Sequence, residues 1–247
     1  MNGLSGTRVT TGARERMLGR LRAAAPKSGT PVAAIDSAID QHYAARRPAA
    51  PSLRALLDAM QAALRAAQAQ VDCVSAHAWP ALLAARLGAQ QVRRLLMDTA
   101  SAEGRALQAA LPAGIEALPF ARPLAEWKSE LFDSVDAGFT VARSGIAATG
   151  TLVIAPDAGT PRTVSLAPPL HVALVYASTL HADLHAAART ERWADAMPSN
   201  LVMISSPSKT SDIQQTLAYG AHGPRWLWVL LVDDLADDVN QNKGALP

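Results

Sequence analysis

Two long segments of the 247-residue chain are almost wholly apolar, and they constrain its fold more than any other feature of the sequence. They are HVALVYA (171–177) and WLWVLLVD (226–233). A strand with one face in water alternates polar and apolar residues, so an unbroken apolar run indicates a strand covered on both faces. We therefore predict an α/β fold, a three-layer sandwich with a mostly parallel sheet between layers of helices.

The rest of the chain alternates between strand-like and helix-like patterns. Leucines and a methionine on one helical face predict a helix that follows Ser52. Further strands are expected at 71–76, 92–98, 151–155, 163–167 and 200–205, and helices at 79–88, 101–111, 124–132 and 180–197. The short gaps between residues 151 and 177 leave room for an antiparallel portion of the sheet.

Composition divides the chain into three parts. Residues 1–50 are helix-prone but poor in core-forming side chains, and AARRPAAPS (44–52) has the composition of a linker. We expect a helical N-terminal segment at 1–50, one α/β domain at 51–235 and a C-terminal tail at 236–247.

Charge and residue content exclude several classes of protein. The net charge of +2 and the 4% aromatic content argue against a groove that binds nucleic acid. No segment approaches the ~18 consecutive apolar residues of a membrane span, and the N-terminal residues lack the apolar segment of a secretory signal. We therefore expect no nucleic-acid partner and no membrane span.

The chain has a single cysteine, Cys73. One cysteine cannot form a disulfide within the chain, which fits a reducing cytoplasm, and it cannot supply the roughly four thiolates that hold an iron–sulfur cluster. Because Cys73 lies in the strand-like run VDCVSA, we expect a small buried side chain rather than a reactive thiol. We predict a cytoplasmic location and no cofactor bound by this chain.

The loop SPSKTSDI (206–213) follows the strand predicted at 200–205 and offers hydroxyls, backbone N–H groups and one cation. If Ser211 or Asp212 begins a helix, the free N–H groups of its first turn favour an anion, with Lys209 as the charge and Thr210 as a donor. The plainer alternative is an ordinary helix N-cap. The glycines of a P-loop are absent.

A second loop, YGAHGPR (219–225), places His222 between Gly220 and Gly223. Such a histidine could be a general acid or base, a substrate contact or a metal ligand, or it could simply hydrogen-bond the turn. Since ligands of open α/β sheets gather where strands end, we expect the loop after 200–205 at the carboxyl edge of the sheet.

A third stretch, SGIAATGT (144–151), has Thr149 and Thr151 on either side of Gly150. The glycine could let the backbone approach a ligand closely, or the stretch could be a plain strand entry. Elsewhere, His181 and His185 have a spacing that can bind zinc on a helix, but the glutamate of the usual zinc motif is missing. We expect exposed helix histidines there and no metal.

Taken in order, these loops resemble the lactate utilization protein C family, which carries the LUD domain. The similar stretches are SGIAATGTLVI, PRTVSLAPPLHVALV and SSPSKTSDIQQTLAYGAHGPRWLWVLLVD, within about residues 130–233. The resemblance implies a fold like the NagB/RpiA/CoA-transferase group and a role in oxidising L-lactate to pyruvate. It also implies two iron–sulfur partners, similar to lactate utilization proteins A and B, which would hold the clusters.

The resemblance also implies site residues by position. His222 and Lys209 are the candidate catalytic residues. The candidate ligand-binding residues are Thr149, Gly150, Thr151, Arg162, Ser208, Thr210, Ser211, Asp212, Gly220 and Gly223, and Pro224 and His171 also occupy matching positions. The chain departs from the family pattern at Ala148, where a glutamate is usual, at Ser206, where a glycine is usual, and at Gln214, where an acidic residue is common.

Two functions of different classes follow. The first is a non-redox subunit of a lactate-oxidising complex, whose loops bind a small carboxylate or phosphate or form a docking surface. Its positively charged groups would be Lys209, His222 and Arg162. The second is a free-standing enzyme acting on a phosphorylated or CoA-like small molecule, which rests on fold analogy. A scaffold with a vestigial pocket is a third option, favoured by Ala148.

Overall fold

The computed structural model describes residues 12–25, 29–46, 50–211 and 217–235. The chain divides into two units, residues 1–50 and 51–247. The helices are α1 (Ala13–Ala24), α2 (Val32–Arg46), α3 (Leu53–Ala66), α4 (Trp79–Ala89), α5 (Ala102–Ala110), α6 (Leu124–Asp133), α7 (Thr163–Leu166), α8 (Leu184–Thr190) and α9 (Trp193–Ala196). The strands are β1 (Gln70–Ser75), β2 (Arg94–Leu96), β3 (Glu116–Leu118), β4 (Ala137–Val141), β5 (Ser144–Ile146), β6 (Thr151–Ile154), β7 (Leu170–Tyr176), β8 (Leu180–His181), β9 (Val202–Ile204), β10 (Lys209–Ser211), β11 (Leu217–Tyr219) and β12 (Trp226–Asp233).

The first unit contains α1 and α2, and neither helix buries a side chain. In the second unit, six strands form a sheet in the order β1-β12-β7-β4-β2-β3. Every neighbouring pair in this sheet is parallel. The two apolar runs become β7 and β12, side by side in its interior. The predicted parallel sheet is therefore confirmed.

Both faces of the six-stranded sheet are covered. Along β12, Trp228 and Leu230 pack in a cluster with α4 and α5, while Val229, which lies between them, packs with α3 on the other face. On that second face α3 buries its apolar stripe, and Ser52 caps the helix by accepting the backbone N–H of Ala55 at 3.2 Å. This arrangement is the predicted three-layer α/β sandwich.

A smaller sheet in the order β8-β5-β6-β9 lies in the second unit. β6 pairs antiparallel with both β5 and β9, whereas β5 and β8 run parallel. Its apolar residues Leu152 and Ile154 join the cluster that contains α3. The antiparallel portion allowed by the short gaps in the sequence is thus a separate sheet, and β9 belongs to it rather than to the parallel sheet.

Two element predictions were wrong. The run TVSLA, expected to be a strand, forms helix α7, which lies so close to β4 that a Cβ on Gly138 would clash with the carbonyl oxygen of Val164. The single helix expected at 180–197 is strand β8 followed by α8 and α9. Asp183 caps α8, and Arg192, at a φ of 54°, separates α8 from α9. Tertiary packing overrode local propensity in both places.

Cys73 is exposed on edge strand β1, so its predicted burial was wrong. Its sulfur accepts a hydrogen bond from Nε2 of Gln61 at 2.9 Å. Within the described part of the chain, no helix is both long enough and apolar enough to cross a membrane.

Candidate functional site

A cavity of about 260 Å³ opens at the amino ends of β7 and β12. Its walls come from stretches far apart in the sequence: α7, the start of β7, residues 202–208, residues 222–224 and Leu227. The polar side chains that line it are Ser165, His171, Ser205, Ser206, Ser208 and His222. We call it the serine–histidine cavity, and its polar groups are hydroxyls and imidazoles.

His171 lies at the base of the serine–histidine cavity and is fully buried. Its Nε2 shares a hydrogen bond of 2.8 Å with Oγ1 of Thr140 on the neighbouring strand β4. No described residue hydrogen-bonds to its Nδ1. Burial lowers the pKa of His171 to about 3, because a charged imidazole is poorly solvated there. The ring is therefore neutral near pH 7, and Nδ1 is left to donate or accept according to the tautomer.

A chain of three hydroxyls runs from the T-G-T turn into the cavity. Oγ1 of Thr149 lies 2.7 Å from Oγ1 of Thr151, which in turn lies 2.7 Å from Oγ of Ser205. Thr149 is exposed, Thr151 is buried, and Ser205 lines the cavity. The T-G-T turn is thus connected to the cavity by hydrogen bonds that end at Ser205, and each hydroxyl orients the next.

A two-stranded ribbon, β10 paired antiparallel with β11, stands next to the cavity. Its base is fixed by backbone bonds: the N–H of Ser208 donates to the oxygen of Pro224 at 2.8 Å, and the N–H of Gly220 donates to the oxygen of Ser208 at 2.9 Å. A Cβ on Gly223 would lie 3.3 Å from Cβ of Ser208. These contacts bring the two polar loops of the sequence together.

Of the predicted site residues, Ser208, Gly223 and His222 line the cavity, and Thr149 and Thr151 reach it through Ser205. Thr210 and Ser211 lie in the ribbon, where they pair with Ala218 and Leu217. Gly220 has a φ of 79° and forms the turn that follows β11. Asp212 and Gln214 lie outside the described residues.

Lys209 and Arg162 do not line the cavity, and both are exposed. Lys209 pairs with Tyr219 at the start of the ribbon, and Arg162 is the residue before α7. The backbone oxygen of Arg162 accepts the hydroxyl of Ser165 at 3.0 Å. Any contribution of these two cations to the cavity is therefore electrostatic and at longer range.

Gly150 has a structural role in this arrangement. Its φ is 60°, and a Cβ there would lie 2.8 Å from the backbone nitrogen of Leu64 and 2.9 Å from Cβ of Ala63. The glycine lets the turn pack directly on α3. Ala148, where relatives of the resembled family have a glutamate, is exposed, and its N–H donates to the oxygen of Ala182 at 3.0 Å.

The expected place of the loops at the carboxyl edge of the sheet was wrong. The loop that contains His222 leads into β12, and the backbone N–H of Trp226 donates to Pro169 just before β7. The serine–histidine cavity therefore lies at the amino edge of the parallel sheet. The error arose because the preceding strand, β9, belongs to the smaller sheet.

The expected helix start at Ser211 was also wrong, because Ser211 is the last residue of strand β10. His181 and His185 do not share a helix, since His181 is in β8 and His185 is in α8. Nε2 of His181 lies 3.4 Å from Oε1 of Glu191. Across the described residues, no group of three or more histidine, cysteine, aspartate or glutamate side chains could hold a metal ion.

Sequence reasoning did not place Ser165 or Ser205 in the site, and it gave His171 no role. A histidine at the head of an otherwise apolar strand was the available signal for His171, because a buried polar side chain needs a partner. Ser165 carried no such signal, since α7 itself was predicted to be a strand.

The family profile of the LUD domain matches residues 57–232, which is more than half of the chain. The chain belongs to the LUD domain family. The resemblance read from the three loops is thereby confirmed, and the match includes every element of the serine–histidine cavity.

Among proteins similar to this LUD domain protein is an uncharacterized protein of Neisseria meningitidis serogroup B. It is 40% identical over 173 residues, which cover 69% of this chain and 74% of the relative. Lactate utilization protein C of Shouchella clausii is 35% identical over 108 residues, and that of Halalkalibacterium halodurans is 33% identical over 112. Each of these two matches covers 42% of this chain and 47% of the relative. The matched region thus spans about half the length of these lactate utilization C proteins.

The fold also has a counterpart among solved structures. The crystal structure of a DUF162 family protein from Deinococcus radiodurans matches 74% of this chain and 99% of its own, with a TM-score of 0.59 and 23% sequence identity. At that identity the likeness concerns the α/β fold alone.

Proposed function

We propose that this LUD domain protein is a cytoplasmic, non-redox subunit of a system that oxidises L-lactate to pyruvate, and that it binds a small carboxylate in the serine–histidine cavity. One observation carries the proposal. The separate stretches that resemble lactate utilization protein C come together around this one cavity, directly or through the Thr151–Ser205 bond.

The hydrogen-bonding groups of the cavity suit a 2-hydroxy acid. Ser165 and Ser206 already donate their hydroxyl protons to backbone oxygens, of Arg162 and Pro207, so their oxygens are left to accept. Ser208 and His222 supply groups that can donate to a carboxylate. A ligand with a carboxylate and a neighbouring hydroxyl needs donors for the first and an acceptor for the second.

Buried His171 adds a neutral contact at the base of the cavity. Its Nδ1 is unpaired in the described structure, and leaving it so costs free energy that a bound ligand would recover. Because its pKa is lowered to about 3, His171 would bind the ligand by hydrogen bonding and not by charge. Positive potential would come from Lys209, which follows Ser208 and is exposed.

Electrons from lactate would pass to other proteins. The 247 residues contain one cysteine, and an iron–sulfur cluster needs roughly four thiolates. We propose that iron–sulfur partners similar to lactate utilization proteins A and B hold the clusters, while this chain holds the carboxylate.

Calorimetric titration with L-lactate and with pyruvate tests the ligand, with inorganic phosphate as the comparison anion. We expect saturable binding of at least one carboxylate, and a loss of about tenfold in affinity for His222→Ala and for Ser208→Ala, since each removes one hydrogen bond. His77→Ala is the matched control, because His77 is exposed at the opposite edge of the sheet.

Three results would count against the proposal. They are an absence of heat with both carboxylates, equal affinity in the cavity variants and the control, and turnover of a phosphorylated or CoA-linked compound by the chain alone. The last would favour the free-standing enzyme.

A further inference from the structure

A second cavity, of about 400 Å³, opens at the amino edge of the six-stranded sheet, beside the end of α4. Its polar lining consists of carboxamides, one carboxylate and indole rings. We call it the glutamine groove, and its defining residues are Gln68, Gln70, Gln90, Gln91, Asp136 and Trp226. It shares Leu227 with the serine–histidine cavity, so the head of β12 separates the two sites.

Gln68 and Gln91 lie at the groove because α3 and α4 end in the same backbone conformation. Each follows a helix, α3 or α4, in the left-handed conformation, with φ of 68° and 59°. After α3, the N–H of Ala69 donates to Leu64 and that of Gln68 to Arg65; after α4, the N–H of Val92 donates to Leu87 and that of Gln91 to Gly88. Both helix ends are therefore Schellman motifs with glutamine where glycine is usual.

A glutamine in the left-handed region is strained, and glycine would relieve the strain without changing the backbone. The chain nevertheless places glutamine at both positions, and both side chains line one groove. Both glutamines are exposed, so their carboxamides are open to solvent. Both carboxamides are therefore available to a ligand that enters the groove.

Trp226 gives the groove an apolar wall. Its side chain is 51% exposed, a high value for an indole at the head of an interior strand. The guanidinium of Arg225 lies over the ring, 5.1 Å from its centroid. Trp228 is buried, and its Nε1 already donates to Asp72 at 2.8 Å.

The charges decide what kind of ligand fits. Asp136 is the one ionisable side chain among the described lining residues, and its Oδ2 accepts the backbone N–H groups of Arg93 and Arg94 at 2.8 and 2.9 Å. A carboxylate in the lining disfavours anions. A cation is disfavoured at the indole by the positive charge of Arg225, whose guanidinium lies over the ring.

We propose that the glutamine groove binds an uncharged ring compound that carries hydroxyl or amide groups, such as a saccharide or a nucleoside. The carboxamides each donate and accept, Asp136 accepts, and Trp226 stacks on the apolar face of the ring. The volume is within the range of small-molecule sites. This site is separate from the carboxylate site and does not depend on the function proposed for it.

The test follows the indole N–H resonance of Trp226 in the full chain, assigned with Trp226→Phe, while maltose, N-acetylglucosamine and adenosine are added. We expect at least one of the three to shift this resonance to saturation, and the compound that does so distinguishes a saccharide from a nucleoside. We expect the phosphorylated forms, N-acetylglucosamine phosphate and AMP, to bind more weakly.

The decisive variant is Gln68→Gly combined with Gln91→Gly, because glycine keeps both helix ends intact. We expect it to fold as well as the wild type and to bind the shifting probe about tenfold more weakly. Gln108→Ala, on α5 and outside the groove, is the control. The proposal is overturned if none of the three compounds shifts the Trp226 resonance, if the phosphorylated forms bind more tightly, or if the double variant binds like the wild type.

Discussion

His171 lies at the start of β7, where burial holds the ring neutral. Its pKa is lowered from 6.5 to about 3. Between those two values the unfolded chain binds a proton that the folded chain does not, so the free energy of unfolding falls as the pH falls from 6.5 towards 3. Above that range His171 adds no pH dependence.

Replacing His171 therefore changes the acid sensitivity of the fold. We expect His171→Gln to remove a slope of up to about 1.4 kcal/mol per pH unit in the free energy of unfolding, on the acid side only. Urea denaturation at a series of pH values between about pH 7 and pH 4 measures this. Parallel stability curves for the wild type and the variant would show that His171 is not held neutral.

A second prediction at the scale of single residues concerns Gly150. Its positive φ and its contact with α3 leave no room for a side chain. We expect Gly150→Ala to lower the free energy of unfolding by about 1–3 kcal/mol. Gly114→Ala is the control, because nothing lies within 4 Å of the added Cβ. Equal unfolding midpoints for both variants would contradict the packing of the T-G-T turn on α3.

At the scale of elements, the ends of α3 and α4 carry strain that glycine would relieve. We expect Gln68→Gly and Gln91→Gly each to leave the free energy of unfolding unchanged or to raise it by up to about 1 kcal/mol. Gln90→Gly should lower it by about 0.5–1 kcal/mol, because Gln90 has a φ of −82° and gains nothing from glycine. Thermal unfolding of the three variants measures these differences. A clearly lower free energy of unfolding for Gln68→Gly and Gln91→Gly would show that the two helix ends are not strained.

The interior strands were predictable because their pattern is local. β7 and β12 are unbroken apolar runs, and a covered parallel sheet follows from such runs alone. Helix α7 was not predictable in this way. Its residues Thr163 and Val164 favour strands, and the contact with Gly138 that accompanies the helix joins segments far apart in sequence.

At the scale of the whole molecule, the sequence predicted several side chains of the candidate site but not where the site lies on the sheet. Ser208 and His222 were found from their loops, whereas Ser165 and Ser205 enter the cavity only because α7 and β9 pack beside the head of β7. The edge of the sheet was misplaced because strand order depends on long-range pairing. Local motifs therefore predicted some of the side chains that line the cavity but not the edge of the sheet at which they lie.

We propose that this LUD domain protein serves lactate oxidation beside partners that carry the electrons. The most direct measurement is affinity purification of the tagged full chain from its native cells, followed by iron analysis and a lactate-dependent dye-reduction assay on the eluate. If the proposal is correct, we expect iron–sulfur proteins in the eluate and dye reduction that needs L-lactate. A lone, iron-free chain without lactate-dependent activity would contradict it.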